Sequence, residues 1–342
     1  MSGVTRLDPA DLVATAAASC TLAELDAALA AAGVWLALDP PGPRTRTLGD
    51  SLGAGGGGPL AARYGPPRDQ VIGMSFVAGQ GTLVKTGGRV VKNVAGFDLA
   101  KLLIGGQGAF GTIEEVHLRL RARPEADATR AWAGPREALA AATHRLMTGG
   151  SMLAAFEVGN GPWVMGNRGS GIGNRESGIG NRDCILLARA QGTTAGVREE
   201  LDAAAECLRG CAEVPVPADV WERWSADVGA WPVIARIGAD PDTWAEAVAM
   251  AEGFGATAFS ATVPRGTVRA QFAGSAVEAL RRLRAAAAQR GWPMTLEQAD
   301  EATMAEVGVW GALNAGTERL VEALRAAFKL ESGRVKDLES SV

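Results

Sequence analysis

The sequence predicts an α+β protein, and three observations lead there. Stretches with helical apolar spacing are interleaved with stretches in which apolar and polar residues alternate. Gly106-Gln107-Gly108-Ala109-Phe110-Gly111 spells G-x-G-x-x-G, but in the order helix, turn, strand. A doubly wound nucleotide-binding fold needs strand, turn, helix, so that the phosphate meets a helix N-terminus. Finally, 342 residues with 47% hydrophobic and 21% charged side chains suffice for one large domain or two ordinary ones.

Taken in order, Leu12 to Ser19 reads as a strand, and Thr21 with Glu24 forms a capping box that opens a helix through Ala32. Gly33 ends it, Val34 to Leu38 returns as a strand, and Pro40 to Pro43 forces an extended loop. The glycine-dense stretch Gly49 to Gly58 is expected to hold no regular element. Val71 to Ala78 and Leu83 to Lys85 form a hairpin turning at Gly79-Gln80-Gly81. Phe97 to Ile104 is helix-like, and Val116, Leu118 and Leu120 alternate as a strand. Ile113 is off that parity, which predicts a bulge at Glu114-Glu115.

The second half alternates again. Helices are expected over Glu137–Met147, Thr194–Gly210, Asp242–Gly253, Ser275–Gly291 and Gly316–Lys329. Strands are expected over Ala154–Met165, Cys184–Ala190, Val233–Ile237, Thr257–Pro264 and Thr267–Phe272. Between the first two strands, Gly166-Asn167-Arg168 recurs at Gly173 and Gly180, a seven-residue repeat without an apolar face that reads as an expanded loop.

Composition narrows the function. A net charge of −4 with no basic stripe argues against a nucleic-acid surface. No apolar run is long enough to span a bilayer, and the N-terminus lacks a signal-peptide core, so the expected location is cytoplasmic. Cys20, Cys184, Cys207 and Cys211 read as buried small hydrophobes, with the last two on one helix face and too few ligands near them for a metal. Imidazole catalysis would rest on His117 or His144. The first reads as solvated on a strand face, the second as a helix C-terminal dipole partner.

The G-x-G-x-x-G turn alone leaves two readings level: backbone N–H groups gripping a cofactor, or a tight turn that needs glycine for its dihedrals. A second set of residues decides. Thr47-Leu48-Gly49-Asp50-Ser51-Leu52, then Tyr64-Gly65-Pro66-Pro67-Arg68-Asp69, then Gly87-Gly88-Arg89-Val90-Val91-Lys92-Asn93-Val94-Ala95-Gly96-Phe97-Asp98-Leu99 precede the turn. This order resembles the FAD-binding domain of the vanillyl-alcohol oxidase, or PCMH, type. Within that superfamily it is most similar to the FAD-binding E subunits of bacterial glycolate oxidase. The specific part is Lys92 to Leu99.

The resemblance implies a PCMH-type FAD-binding domain over residues 1–124, incomplete at its N-terminus. A smaller α+β cap-like domain would follow over 125–308, with the repeat at 166–183 inserted in it, and a C-terminal helix and tail over 309–342. It implies non-covalent FAD, since no histidine precedes His117 to anchor a covalent flavin. Gly49 and Ser51 would lie near the flavin or its pyrophosphate, Arg68 and Asp69 would hold the adjoining loop, and Lys92 and Asn93 would line the cleft. Backbone at Gly108, Gly111 and Ile113 would meet the ADP half. The implied partners are a larger flavin subunit and an iron–sulfur subunit, with membrane association through them. The implied reaction is oxidation of glycolate, a 2-hydroxy acid, to glyoxylate.

The departures point the other way. Asp50 replaces a glycine, which brings a carboxylate close to a pyrophosphate. Leu60 and Ala61 stand for an arginine pair, and Phe97 for tyrosine. A flavin-free structural subunit and a stand-alone FAD-linked oxidase of another substrate are the alternatives. No catalytic base is evident in the sequence.

Overall fold

The computed structural model describes residues 3–88, 98–160, 183–311 and 315–328. The repeat and the Lys92-Asn93 pair lie outside the described residues. The chain divides into two units: Met1–Gly57 with Tyr64–Arg123 and Ala312–Val342, and Gly58–Arg63 with Pro124–Gly311.

The first unit is built on a five-stranded antiparallel sheet. Its strands are β1 (Val4–Asp8), β2 (Val13–Ala17), β4 (Val71–Val77), β5 (Leu83–Gly87) and β6 (Thr112–Arg119), in the order β1-β2-β6-β4-β5. A two-residue ribbon joins β3 (Val34–Trp35) to β7 (Arg121–Ala122). Helix α1 (Leu22–Ala31) starts at the predicted capping box, with the Thr21 N–H donating to Glu24 Oε2 at 2.9 Å. Leu25 and Leu29 of α1 share one core with Ala14, Ala16, Leu52, Val116 and Leu118. The β4–β5 hairpin forms as predicted. So does the bulge, because Ser75 pairs with Glu115 while Phe76 pairs with Ile113, leaving Glu114 as the extra residue.

One expectation is overturned in this unit. The glycine-dense stretch does hold a helix, α2 (Leu48–Ala54). Its N-cap is Thr47, whose hydroxyl accepts from the Asp50 N–H at 3.1 Å, and Gly55 at φ +65° closes the C-terminus. Glycine weakens a helix interior, but Leu48 and Leu52 are fully buried, and that burial outweighs the propensity. Three short helices follow: α3 (Ala61–Tyr64), α4 (Pro67–Gln70) and α5 (Ala100–Leu103).

The second unit is an eight-stranded antiparallel sheet. Its strands are β8 (Ala126–Pro135), β9 (Ala155–Gly159), β10 (Asp183–Gly192), β11 (Ala212–Val214), β12 (Val233–Gly238), β13 (Ala258–Thr262), β14 (Thr267–Phe272) and β15 (Met294–Gln298). They lie in the order β11-β8-β10-β9-β13-β14-β12-β15. The ten-residue β8 and the strand β15 are not evident in the sequence reading, since alanine- and charge-rich β8 carries little strand propensity.

One face of this sheet is covered by α6 (Arg136–Thr148), α7 (Thr194–Cys207), α9 (Trp244–Gly253) and α10 (Val277–Gln289), whose apolar sides meet Phe156, Val158, Phe259, Val268 and Ala270 in one core. On the other face α8 (Val220–Val228) lays Val220, Trp224 and Val228 against Ala131, Ala133, Ile185 and Leu187. Helices α11 (Glu301–Val307) and α12 (Ala315–Ala327) complete the described elements. Leu324 and Phe328, at the end of α12 and just beyond it, pack against the Phe76 core of the first unit.

Three further expectations need correction. Cys211 lies beyond the end of α7, so it does not share a helix face with Cys207, and both are only partly buried. His117 is not simply solvated, because its Nδ1 lies 3.1 Å from Thr15 Oγ1 on the neighbouring strand. His144 sits near the end of α6 as expected, but its ring partners the Asp242 carboxylate at 2.9 Å.

Candidate functional site

The glycines that the sequence singles out converge in the first unit. The start of α2 is tied to the end of β2 by Leu48 N–H to Cys20 O and Gly49 N–H to Ala18 O, each 2.8 Å. A Cβ on Gly49 would sit 3.0 Å from Ala18 Cβ and 3.2 Å from Ala18 O, so glycine permits this close approach. Ser51 is fully buried and its hydroxyl donates to Thr47 O at 2.8 Å. Gly49 thereby lets α2 dock on the sheet, while Ser51 ties the first turn of the helix to its own N-cap.

The other end of α2 meets the G-x-G-x-x-G turn. The Gly105 N–H donates to Leu52 O at 2.9 Å and the Gln107 N–H to Gly53 O at 3.0 Å. A Cβ on Gly55 would come within 2.5 Å of Gly105 Cα, so two backbones touch where a side chain would separate them. Gly108 has φ +75° and lies exposed on the turn. Gly111 has φ +142°, and a Cβ there would strike Val77 O at 2.5 Å. Ile113 follows in β6, opposite Phe76. Arg68 and Asp69 lie apart from this cluster, exposed on α4 before β4.

What the cluster offers a ligand is bare backbone. A Cβ on Gly53 would meet nothing within 4 Å, and one on Gly105 only Gly55 Cα at 3.7 Å. A strip without side chains lets a flat ring or a phosphate chain lie against the backbone, which fits FAD. The charge objection at Asp50 also changes. Its carboxylate accepts from the Thr47 hydroxyl at 2.6 Å, so it completes the cap of its own helix.

The comparisons agree with this geometry. Residues 1–87 match the FAD binding domain family. Glycolate oxidase subunit GlcE of Escherichia coli (strain K12) is 37% identical over 125 residues, which is 36% of this chain and 36% of that protein. Glycolate oxidase subunit GlcD of Bacillus subtilis (strain 168) is 31% identical over 129 residues, 38% of this chain and 27% of that protein. The aligned part thus spans about a third of the length of these relatives. D-lactate dehydrogenase [cytochrome], mitochondrial, of Arabidopsis thaliana is 41% identical over 102 residues, covering 30% of this chain and 18% of that protein.

In fold the chain is similar to p-cresol methylhydroxylase, with TM-score 0.68 at 14% identity over 95% of this chain and 75% of that one. It is also similar to alkyldihydroxyacetonephosphate synthase, with TM-score 0.67 at 14% identity over 98% and 65% of the two chains. The expected α+β architecture with a PCMH-type FAD-binding domain is therefore borne out, as is FAD as the cofactor of the matched family. No helix among the described residues is long and apolar enough to cross a membrane.

The second unit holds polar residues that sequence reading passes over. Glu157, Ser260, Thr262, Arg269 and Gln271 are all buried, at no more than 1% exposure, on the sheet face opposite the main core. Ser260 Oγ donates to Glu157 Oε1 and accepts from Trp224 Nε1. Glu297 lies between Arg236 Nε at 2.7 Å and Arg269 Nε at 2.8 Å. Burial alone would raise the Glu297 carboxyl, but the two guanidiniums outweigh it and hold it below the usual carboxylate range. The signal was present as charged and hydroxyl residues alternating with apolar ones in β13 and β14. Alternation says that a strand has two faces, not that the polar face is wet.

Proposed function

We propose that this chain is, or forms part of, an FAD-binding subunit of a complex that oxidises glycolate or a similar 2-hydroxy acid to the 2-oxo acid. The observation that carries the reading is the strip of glycine backbone where Gly53 and Gly55, at the end of α2, meet Gly105, within a chain aligned to two glycolate oxidase subunits. The FAD-binding domain would be residues 1–124 and the cap-like domain 125–308. Backbone at Gly108, Gly111 and Ile113 would face the ADP half. Gly49 and Ser51 would support the cradle from behind, with Arg68, Asp69, Lys92 and Asn93 on adjoining loops.

When bound, the flavin supplies the two-electron acceptor that removal of hydride from a hydroxy acid requires. The chain itself holds the cofactor non-covalently and keeps side chains out of its path. Partners of the glycolate oxidase type, a larger flavin subunit and an iron–sulfur subunit, would complete the assembly in the cytoplasm and bring it to a membrane.

The test is a visible absorption spectrum of the purified chain, alone and again after incubation with FAD and desalting. A retained flavin band that acid precipitation releases supports the reading. No band in either sample sinks it and favours the flavin-free subunit, for which Asp50 in the glycine loop is the supporting feature.

A further inference from the structure

Each of the two large sheets ends, among the described residues, in strands with a neighbour on one side only: β1 and β5 in the first unit, β11 and β15 in the second. An open strand edge is a template for pairing with another chain unless something blunts it. Three of these four are poor templates for a second copy. β11 is three residues long, and its Glu213 already holds Arg130 at 2.6 Å. The outer side of β15 is partly taken, since the Leu296 N–H donates to Val309 O at 2.8 Å. β5 carries Lys85 and no carboxylate, so a second copy brings like charge and nothing to pair with it.

β1 differs, because Val4-Thr5-Arg6-Leu7-Asp8 sets opposite charges on either side of Leu7. Arg6 is exposed, and no carboxylate among the described residues pairs with it. Asp8 is half-buried and accepts from the Asp11 N–H through one oxygen at 3.2 Å. Arg6 and Asp8 register with Thr15 and Val13 of β2, so both lie on one sheet face. Beside them a hollow is lined by Arg6, Asp8, Asp11, Val13 and Thr15, which sets two carboxylates and one guanidinium around it. Leu7 registers with Ala14 on the opposite face and packs, half-buried, against the core that holds Ala14 and Leu118.

These positions are complementary to themselves. In an antiparallel pair of β1 strands centred on Leu7, Leu7 faces Leu7 of the second copy and Arg6 faces Asp8 twice over. The second copy's Arg6 then arrives at the hollow beside Asp8 and Asp11. Centring the pair on Arg6 or on Asp8 instead sets like charges face to face, so charge selects the register. The ladder is short. A bulge at Thr5 interrupts β1 at one end and Pro9 follows it at the other, which makes the association weak and reversible.

We propose that β1 is a self-association edge, through which two copies of this chain join their first-unit sheets. The strands pair antiparallel about Leu7, with an Arg6–Asp8 ion pair on each side of the two-fold axis and the two Leu7 side chains meeting on the core face. Because both copies spend the same edge, the assembly closes at the dimer. The inference concerns the first unit alone and is independent of whether the chain holds a flavin.

The test is sedimentation velocity of the full chain over a concentration series reaching about 1 mM, the range in which a weak interface still registers. We expect a monomer–dimer equilibrium in the wild type. Arg6→Asp and Asp8→Arg should each weaken it roughly tenfold or more, since either change turns both charge pairs into like-charge pairs. An equimolar mixture of the two variants should associate as the wild type does, because every facing pair is again of opposite sign. Asp8→Arg also removes the acceptor for the Asp11 N–H. Should it fail to fold, Asp8→Asn keeps an acceptor there and drops the charge, with weaker association again expected. A wild type that stays monomeric throughout the series overturns the proposal. So does growth past the dimer, variants that associate like the wild type, or a mixture that associates no better than its two components.

Discussion

Gly111 shows how a residue can be required by the fold whatever it does for a ligand. Its φ of +142° is closed to most side chains, and a Cβ there would sit 2.5 Å from Val77 O and 3.0 Å from the Phe76 ring. Gly111→Ala must therefore move β6 away from β4 as well as strain its own backbone. We expect a loss on the order of 2–3 kcal/mol, from strain of about 1–3 kcal/mol with the steric cost added, read as a lower urea midpoint with unchanged slope. A midpoint within error of the wild type would show that the strand end yields freely. Gly53 is the contrasting case: its φ is ordinary for a helix and a Cβ would meet only open space. Gly53→Phe should leave folding nearly intact while filling the bare strip. A variant that folds but loses the flavin retained by the wild type is the expected outcome, and equal retention by both would remove Gly53 from the cradle.

At the scale of elements, α2 exists because its ends are closed. Thr47 caps the first turn, the Asp50 carboxylate accepts a hydrogen bond from that hydroxyl, and Gly55 takes the left-handed position. Thr47→Ala removes the acceptor for the Asp50 N–H and frees the Asp50 carboxylate towards the glycine strip. The expected cost is about 1 kcal/mol in urea unfolding, with weaker FAD retention as a second effect. Retention unchanged at the lower stability would show that the Asp50 charge does not reach the cofactor. Read from sequence, the same stretch is a run of glycines, because propensity weighs each residue alone while the burial of Leu48 and Leu52 is a tertiary fact. The elements that were legible, α1 and the β4–β5 hairpin, carry their determinants locally in Thr21, Glu24 and a glycine turn. The bulge before Val116 was legible from parity alone. The glycine turn was legible as a site through its resemblance to a family. The polar layer from Glu157 to Glu297 was not, since only the pairing of five distant strands brings those residues together.

For the whole molecule, the two units have separate cores, and the carboxyls held below their usual range fall mostly in the second. In the second unit, burial opposes ionisation of Glu297 and Asp127, but Arg269 with Arg236, and Arg189, overcome it and hold both carboxyls below their usual range. Hydrogen bonds lower Glu125, Glu213, Asp219 and Asp300 as well. In the first unit Glu24 is the lowered carboxyl among the described residues, through its capping box. A carboxyl with a depressed folded-state pKa stabilises the fold fully only above the unfolded value, about 4. As pH falls through that value the unfolded chain takes up protons first, and stability drains away down to the folded pKa. The second unit should therefore lose stability faster than the first between about pH 5 and pH 3. Of the nine tryptophans Trp35 alone falls in the first unit, so tryptophan fluorescence follows the second. We expect its thermal midpoint to drop with pH ahead of a far-ultraviolet transition that includes both units. Glu297→Gln should flatten that drop while lowering the midpoint at neutral pH, because the buried Arg269 and the half-buried Arg236 then lack their shared anion. Midpoints that move together, or a Glu297→Gln profile parallel to the wild type, would mean that the acid response lies elsewhere.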